Sequence, residues 1–155
     1  MITVCIATFN GEKYIREQLN SILFQLSLQD EVIVSDDGSI DDTISIIKSF
    51  NDNRIKIIDG VHRHSPTLNF ENALKEAKGD YIFLWKDDKV KNCLKWLQHY
   101  DCIISDAEVT DENLNITSPS LYQLMNIKSG RVYNILYKNG YTGCCMAFTR
   151  RVKDA

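Results

Sequence analysis

Short apolar runs alternate along the first hundred residues with segments whose apolar side chains recur at helical spacing. The helical segments carry charged or polar residues on the opposite face, which is the pattern of amphipathic helices. The apolar runs predict five strands, at Ile2 to Thr8, Glu31 to Ser35, Arg54 to Ile58, Tyr81 to Trp85 and Cys102 to Ser105. Strands and helices that alternate in this way indicate an α/β fold, with a mostly parallel sheet and helices on both faces.

Polar residues at the segment boundaries predict where the first two helices begin. Asn10 is the expected N-cap of a helix whose apolar positions run from Ile15 to Leu26. Ser39, with Asp42 three residues later, forms the expected capping box of a second helix that continues to Phe50.

The same signals predict the third and fourth helices. Ser65 followed by Pro66 is typical of an N-cap with proline in the first turn, and Gly79 is the expected stop of that helix. The fourth helix is predicted from Val90 to Tyr100.

The pattern weakens beyond Asp106. A short helix is predicted near Leu121 to Met125, and strands are predicted at Arg131 to Tyr137 and Tyr141 to Phe148. Because no repeat or linker divides the sequence, residues 1–155 are expected to form a single domain.

Composition and charge exclude several classes of protein. Eighteen basic and twenty-one acidic residues give a net charge of −3, which argues against a nucleic-acid binder that depends on phosphate contacts. The five cysteines form no C-x-x-C pair, so neither a zinc knuckle nor a disulfide framework is predicted, and a reducing, cytoplasmic compartment is expected. No apolar run approaches the roughly 20 residues that span a bilayer, and no signal peptide is indicated.

Carboxylates follow several of the predicted strands. Asp36 and Asp37 follow the second, Asp87 and Asp88 the fourth, and Asp106 the fifth. Parallel strands end at a common edge, where ligands of such sheets bind. Clustered carboxylates favour Mg²⁺ or Mn²⁺ shared with substrate phosphates. The alternative is that these residues only form turns and helix caps.

Motifs of other phosphate-binding or hydrolytic proteins are missing. The sequence has no P-loop, no G-x-G-x-x-G fingerprint and no G-x-S-x-G elbow. His62 and His64 are interpreted as loop residues.

Four sequence segments together resemble family-two glycosyltransferases, which are inverting enzymes of the GT-A fold. The segments are VCIATFNGE from Val4, EVIVSDDGSIDDT from Glu31, NFENAL from Asn69 leading to GDYI from Gly79, and GCCMAF from Gly143. The similarity covers nearly the whole chain and is closest to bacterial polysaccharide enzymes, including rhamnosyltransferase-like members. The resemblance implies transfer of a sugar from a nucleotide-diphosphate-sugar to a saccharide or lipid-linked acceptor, with inversion.

The resemblance also implies roles for individual residues. The positions that match the family's nucleotide-sugar pocket are Ala7, Thr8, Phe9, Glu12, Asp37, Asn69 and Asp87. Among them, Asp37 matches the acid that reads the edge of the base, and Glu12 is expected at the pocket rim. Asp87 and Asp88 match the end of the family's D-x-D motif, which implies a divalent metal, Mn²⁺ or Mg²⁺, on the diphosphate.

The sequence departs from the family in two places. The segment from Leu84 to Asp88 lacks the leading acid of the metal motif and contains Lys86. An inverting transfer needs a general base, and no residue matches the family's base. Asp106 is a candidate only by its position at a strand end, and the alternative is an acidic surface loop.

These departures leave a second function open, in which the chain is a truncated or degenerate module that binds a nucleotide-sugar without catalysis. A metal-dependent nucleotidyltransferase is a third, weaker alternative. Relatives in the family continue into an acceptor-binding segment, so membrane association is expected only through segments that this chain lacks.

Overall fold

The computed structural model describes residues 1–85, 90–106, 108–111, 115–124 and 145–155, and these residues form an α/β fold. A six-stranded sheet is made of β1 (Ile2–Thr8), β2 (Glu31–Asp36), β3 (Ile55–Asp59), β4 (Tyr81–Trp85), β5 (Cys102–Ile104) and β8 (Cys145–Thr149). A separate two-stranded sheet, which the sequence pattern did not predict, pairs β6 (Val109–Thr110) with β7 (Ile116–Ser118).

The order of strands in the large sheet is β3-β2-β1-β4-β8-β5. The first four of these strands are parallel to one another, and β8 runs antiparallel to both β4 and β5. Thr8 pairs with Asp36, and Asp36 pairs with Asp59, so β1, β2 and β3 end at one edge of the sheet. The prediction of a mostly parallel α/β sheet is confirmed.

Helices cover both faces of this sheet. Their bounds are α1 (Ile15–Leu23), α2 (Thr43–Ser49), α3 (Pro66–Glu76), α4 (Val90–Leu97), α5 (Leu121–Leu124) and α6 (Arg150–Lys153). Apolar residues of α1, α2 and α4 pack on one face with Val4, Ile6 and Phe83. Ala73 of α3 packs on the other face with Cys5 and Ile82. No helix in the described part of the chain has both the length and the apolar character needed to cross a bilayer.

The predicted N-cap of the first helix is wrong. α1 begins at Ile15 with Tyr14 as its N-cap, because the Gly11 carbonyl accepts hydrogen bonds from the amides of Tyr14 and Ile15. Asn10 instead adopts a left-handed φ of 49°, and its side-chain oxygen accepts a hydrogen bond from the Ile40 amide at 2.9 Å. Asn10 therefore joins two loops rather than starting a helix.

The predicted capping box is also wrong. α2 begins at Thr43, after Asp42, whose side chain makes no cap hydrogen bond. The Ser39 hydroxyl instead donates to Asp36 at 2.5 Å, and Ile40 lies outside the helix with 92% of its surface exposed. The Ser39 hydroxyl also accepts a hydrogen bond from the Asn10 amide at 2.8 Å, so it holds the turn after β2 and the loop after β1 instead of capping the helix.

The third helix begins as predicted and ends earlier. The Ser65 side chain accepts a hydrogen bond from the Leu68 amide, and Pro66 occupies the first turn. The helix ends at Glu76, so Gly79 is not its stop signal. A Cβ on Gly79 would lie 2.5 Å from the Thr3 amide nitrogen, which shows that glycine is needed there for close packing against β1.

The later elements agree with the predictions in type. α4 ends at Leu97 rather than Tyr100, and β5 ends one residue before Ser105. The helix predicted near Leu121 is α5, and the described part of the strand predicted from Tyr141 lies in β8. The strand predicted at 131–137 lies outside the described residues.

Candidate functional site

A cavity of about 690 Å³ opens where β1 and β2 end, beside the first half of α3. This is the edge at which parallel α/β sheets bind their ligands. Its walls are formed by Ala7, Thr8, Phe9, Asp37, His64, Ser65, Pro66, Thr67, Asn69, Phe70, Glu71, Leu74 and Leu84. The structure thus brings together five of the sequence-predicted residues, which are Ala7, Thr8, Phe9, Asp37 and Asn69.

Asp37 is a buried carboxylate at the wall of this cavity. Its backbone amide donates to the Thr8 carbonyl at 2.9 Å, which fixes the residue beside the end of β1. Only 2% of Asp37 is exposed, and within the described part of the chain its Oδ1 has no hydrogen-bond partner. A buried acceptor without a partner is costly, so a hydrogen-bond donor that a ligand brought to this oxygen would stabilise the site.

Asp36, the neighbouring carboxylate, is used for structure. Its Oδ2 accepts hydrogen bonds from the amides of Gly38, at 3.2 Å, and Ser39, at 2.9 Å. Its Oδ1 accepts the hydroxyl of Ser39. Gly38 has a φ of 88°, a conformation that glycine adopts without strain. The two adjacent aspartates therefore have different roles: Asp36 holds the turn, and Asp37 lines the cavity.

The loop after β3 packs directly against this turn. The Gly60 amide donates to the Asp36 carbonyl at 2.7 Å. A Cβ on Gly60 would lie 2.5 Å from that carbonyl oxygen and 2.7 Å from the Asp37 Cα. Because backbone atoms cannot yield easily, the position of Asp37 depends on a glycine at residue 60.

Asn69 lines the cavity, and its polar atoms are occupied by hydrogen bonds to the protein. Its Nδ2 donates to the Ser35 carbonyl at 2.8 Å and to the Thr8 carbonyl at 3.3 Å. Its Oδ1 accepts the Ser35 hydroxyl at 2.5 Å. The side chain therefore clamps the ends of β1 and β2 to α3, and supports the cavity wall through these strands.

Two aromatic rings meet at the cavity. The Phe9 and His64 ring centroids are 4.4 Å apart, with planes tilted by 57°. Phe9 is 44% exposed, so part of its ring is accessible to a ligand. Sequence reasoning classed His64 as a loop residue, which is correct, but missed its place in the cavity wall. Its position in the sequence could have indicated this, because His64 lies in the short connection between β3 and α3. That connection begins at the edge of the sheet where ligands bind.

The loop that carries His64 is held in an unusual conformation. His62 and His64 both have left-handed φ values, of 53° and 49°. His62 Nε2 lies 2.9 Å from a carboxylate oxygen of Asp59, and a Cβ on Gly38 would lie 2.7 Å from the His62 ring. Strained residues of this kind persist where surrounding contacts hold them.

Glu12 does not line the cavity. Its carboxylate accepts a hydrogen bond from the Asp42 amide at 3.0 Å, and its backbone amide donates a hydrogen bond to the Asp41 carboxylate at 3.1 Å. Burial acts to raise the pKa of Asp41, but hydrogen bonds from Thr43 and Glu12 outweigh it and lower the pKa. Glu12 thus ties the loop after β1 to the beginning of α2.

Asp106, the candidate base, also lies away from the cavity walls. Its Oδ2 accepts the Ser120 hydroxyl at 2.5 Å, and its Oδ1 accepts the Tyr122 amide at 3.0 Å. Ser120 in turn accepts the Gln123 amide at 3.0 Å. These bonds are those of a helix cap, and they hold the beginning of α5.

The predicted metal ligands cannot be placed, because Asp87 and Asp88 lie outside the described residues. Among the residues that are described, no three His, Cys, Asp or Glu side chains are grouped so that they could hold a metal. β4, which ends two residues before Asp87, is parallel to β1 and contributes Leu84 to the cavity wall. The chain therefore leaves β4 at the edge of the sheet where the cavity lies.

Comparison with known proteins gives a family and a fold. Glycosyl transferase family 2 matches residues 3–154. The dTDP-rhamnosyl transferase RfbG of Shigella flexneri is 31% identical over 129 residues, which are 74% of this chain and 43% of RfbG.

Solved structures give the same fold. TarS residues 1–349 of S. aureus, in complex with UDP, match 81% of this chain with a TM-score of 0.59 and 25% identity. The mannosyltransferase PcManGT of Pyrobaculum calidifontis, in complex with GDP-Man and Mn²⁺, matches 99% of this chain with a TM-score of 0.66 and 20% identity.

The chain covers less than half of each of these three proteins: 43% of RfbG, 49% of TarS 1–349 and 45% of PcManGT. The structural neighbours are GT-A glycosyltransferases, as the sequence resemblance implied. The match over nearly the full length of the sequence shows that this chain belongs to glycosyl transferase family 2.

Proposed function

We propose that the cavity binds the nucleotide of a nucleoside-diphosphate-sugar donor. We further propose that the whole protein transfers the sugar, with inversion, to a saccharide or lipid-linked acceptor in cell-surface polysaccharide synthesis. The observation that carries the proposal is Asp37, a buried carboxylate in the cavity wall whose Oδ1 has no hydrogen-bond partner among the described residues. A ligand with a matching donor satisfies that oxygen.

The chemistry of Asp37 favours a base with a ring N–H on its edge. An ionised carboxylate accepts hydrogen bonds and donates none. Uracil and thymine present an N–H donor between two carbonyls, whereas cytosine presents an acceptor at the same ring position. UDP and dTDP donors therefore fit, in agreement with the names of TarS in complex with UDP and of the dTDP-rhamnosyl transferase RfbG. Guanine also carries a ring N–H, so a nucleotide panel must include GDP.

The remaining walls suit a flat aromatic base. Phe9 offers a partly exposed ring, packed against His64, and rings of this kind stack on bases. Ala7 and Thr8 bring the end of β1 to the same cavity. Asn69 maintains this wall because it bonds the carbonyls of Thr8 and Ser35.

The proposal includes a divalent metal, which Asp87 and Asp88 would hold. Two adjacent carboxylates are hard oxygen ligands of the kind that Mn²⁺ and Mg²⁺ take together with substrate phosphates. Their place in the sequence, directly beyond the strand that carries Leu84 to the cavity, fits a role at the diphosphate. When bound, such an ion stabilises the charge on a departing diphosphate.

The general base of the transfer is not assigned to a residue. Both carboxylate oxygens of Asp106 accept hydrogen bonds that cap α5, which favours a structural role for this residue. Binding and catalysis are therefore tested separately. Nucleotide binding without turnover would favour the alternative of a binding module.

Thermal unfolding with nucleoside diphosphates tests the binding part directly. The chain is mixed with UDP, dTDP, GDP, CDP or ADP, each with and without Mn²⁺. A ligand at about 100 times its Kd stabilises the folded state by roughly 2.7 kcal/mol, which gives a clear shift in Tm. We expect the largest shift with UDP or dTDP in the presence of Mn²⁺. A folded sample that shifts with none of the five nucleotides would contradict the proposal.

A further inference from the structure

Two segments of the chain contain no acidic residue, although the chain as a whole has a net charge of −3. Residues 18–29, which include the end of α1, contain no charged side chain. Residues 90–100, which include α4, contain Lys91 and Lys95 but no aspartate or glutamate. Lys91 Nζ lies 5.7 Å from the centroid of the Phe24 ring, so the two segments meet at the surface.

Large apolar side chains are exposed on the same segments. Phe24 is 86% exposed, Trp96 58% and Tyr100 61%. The Trp96 and Tyr100 ring centroids lie 6.5 Å apart. α4 packs on the sheet through Val90, Cys93 and Leu97, which are buried, so its aromatic face is not needed for the core. We call the patch formed by Phe24, Lys91, Lys95, Trp96 and Tyr100 the α1–α4 surface.

A shallow depression of about 450 Å³ lies within this surface. It is lined by Asn92, Lys95, Trp96 and His99. Lys95 and Asn92 provide N–H donors beside the Trp96 ring. Lys95 is exposed and has no ion-pair partner in the described residues. The nearest acid along the chain, Asp101, is paired with Arg151.

We propose that the α1–α4 surface docks on a lipid bilayer that contains anionic headgroups, in contrast to the sequence-based expectation that only other segments associate with membranes. Tryptophan and tyrosine favour the boundary between headgroups and acyl chains, because their rings are apolar at one end and polar at the other. Lysines beside them are attracted to the negative surface potential of anionic lipids. Both features are present on exposed residues of α4 and the turn after it, together with N–H donors that suit a lipid phosphate.

The charges also argue against a second copy of this chain as the occupant. In a symmetric dimer through this face, the same patch lies on both sides of the interface. Lys91 and Lys95 of one copy would then face the same lysines of the other copy. Residues 18–29 and 90–100 contain no aspartate or glutamate that could pair with them. An anionic bilayer meets the same lysines with opposite charge. The proposal does not depend on which nucleotide the cavity binds.

Vesicle flotation tests the proposal. The full chain is mixed with vesicles of phosphatidylcholine alone, or of phosphatidylcholine with phosphatidylglycerol. We expect flotation only with phosphatidylglycerol, and less of it as salt is raised. In the double variant Lys91→Gln/Lys95→Gln, binding should weaken by about 30-fold, because each lysine near an anionic surface contributes about 1 kcal/mol. The double variant Trp96→Ala/Tyr100→Ala should also lose binding.

Ile40→Ala is the matched control, because Ile40 is 92% exposed and lies on the loop before α2. It should float like the unmodified chain, and thermal unfolding should show that every variant is folded. Flotation that is equal with both vesicle types, or absent, would overturn the proposal. So would wild-type binding by both double variants, or a dimer that depends on Trp96 and forms without vesicle binding.

Discussion

The imidazole ring of His64 packs against the ring of Phe9, with centroids 4.4 Å apart, and both residues line the cavity. If a base stacks on this pair, Phe9→Ala should weaken UDP binding by roughly 5- to 150-fold, because base stacking on an aromatic side chain contributes about 1–3 kcal/mol. Isothermal titration calorimetry measures the change. Tyr14→Ala is the control, since Tyr14 is an exposed aromatic residue outside the cavity walls. Equal UDP affinity of Phe9→Ala and the unmodified chain would exclude stacking on Phe9.

Gly60→Ala should disturb the cavity as well as the fold. The added Cβ would meet the Asp36 carbonyl oxygen at 2.5 Å and the Asp37 Cα at 2.7 Å. We expect a loss of about 1–3 kcal/mol in the free energy of unfolding, which is typical of overpacking, and weaker nucleotide binding.

Gly79→Ala is the matched control for this substitution. Its Cβ would meet the Thr3 amide nitrogen at the same 2.5 Å, at a residue that does not line the cavity. Urea unfolding should show a similar loss of stability, while the Kd for UDP should stay unchanged. If both variants change the Kd equally, the effect of Gly60 on Asp37 is not local.

Asn69→Ala should destabilise the protein more than a typical surface substitution. It removes the hydrogen bonds to the Thr8 carbonyl, the Ser35 carbonyl and the Ser35 hydroxyl. At about 1 kcal/mol for each bond, we expect a loss of about 3 kcal/mol in the free energy of unfolding, measured by urea unfolding.

Asn72→Ala provides the comparison, because Asn72 donates to the Ser35 hydroxyl and the Asp59 carbonyl from a less buried position. At the same rate, its two bonds give an expected cost of about 2 kcal/mol. An Asn69 variant no less stable than the Asn72 variant would show that the clamp is not important for the fold.

Asp30 should make stability depend on acidic pH. Burial acts to raise its pKa, but hydrogen bonds from the Ile2 amide and from the Ser27 hydroxyl and amide outweigh burial and lower the pKa. The folded pKa is therefore below the unfolded value. The stabilisation is full above the unfolded pKa, near 3.8, and is lost as pH falls through the folded pKa.

Asp30→Asn should consequently be less stable at neutral pH and should lose less stability as the pH is lowered below about 4. Urea unfolding across the acidic range measures both effects. Asp154→Asn, at an exposed aspartate near the end of the chain, should keep the pH dependence of the unmodified protein. An Asp30→Asn variant with that same dependence would contradict the assignment.

Strands were easier to predict than helix starts, and the reason is physical. The runs at Ile2 and Tyr81 are apolar and short, and burial in the sheet fixes them as strands. Asn10 and Ser39 have the side chains of N-caps, but they bond to each other's loops across the chain. Such long-range bonds cannot be deduced from local sequence.

The candidate site was predicted in part for a similar reason. Asp37 and Phe9 follow parallel strands, whose ends must meet at one edge, so topology alone brings them together. His64 and Gly60 enter the site through the conformation of a loop. Local spacing also cannot distinguish the Asp36 carboxylate, which accepts hydrogen bonds from its own turn, from that of Asp37, whose Oδ1 has no partner among the described residues.

The most direct test of the account is calorimetric titration of UDP, with Mn²⁺, into the unmodified chain and into Asp37→Asn. Asn removes a buried carboxylate whose Oδ1 has no partner in the described part of the chain, so the variant should be folded and no less stable without ligand. Loss of a hydrogen bond to a charged group costs about 1.5–3 kcal/mol, so UDP affinity should fall by roughly 10- to 150-fold. Equal UDP affinity of two folded proteins, or binding of neither UDP nor dTDP by the unmodified chain, would contradict the claim that Asp37 receives the base.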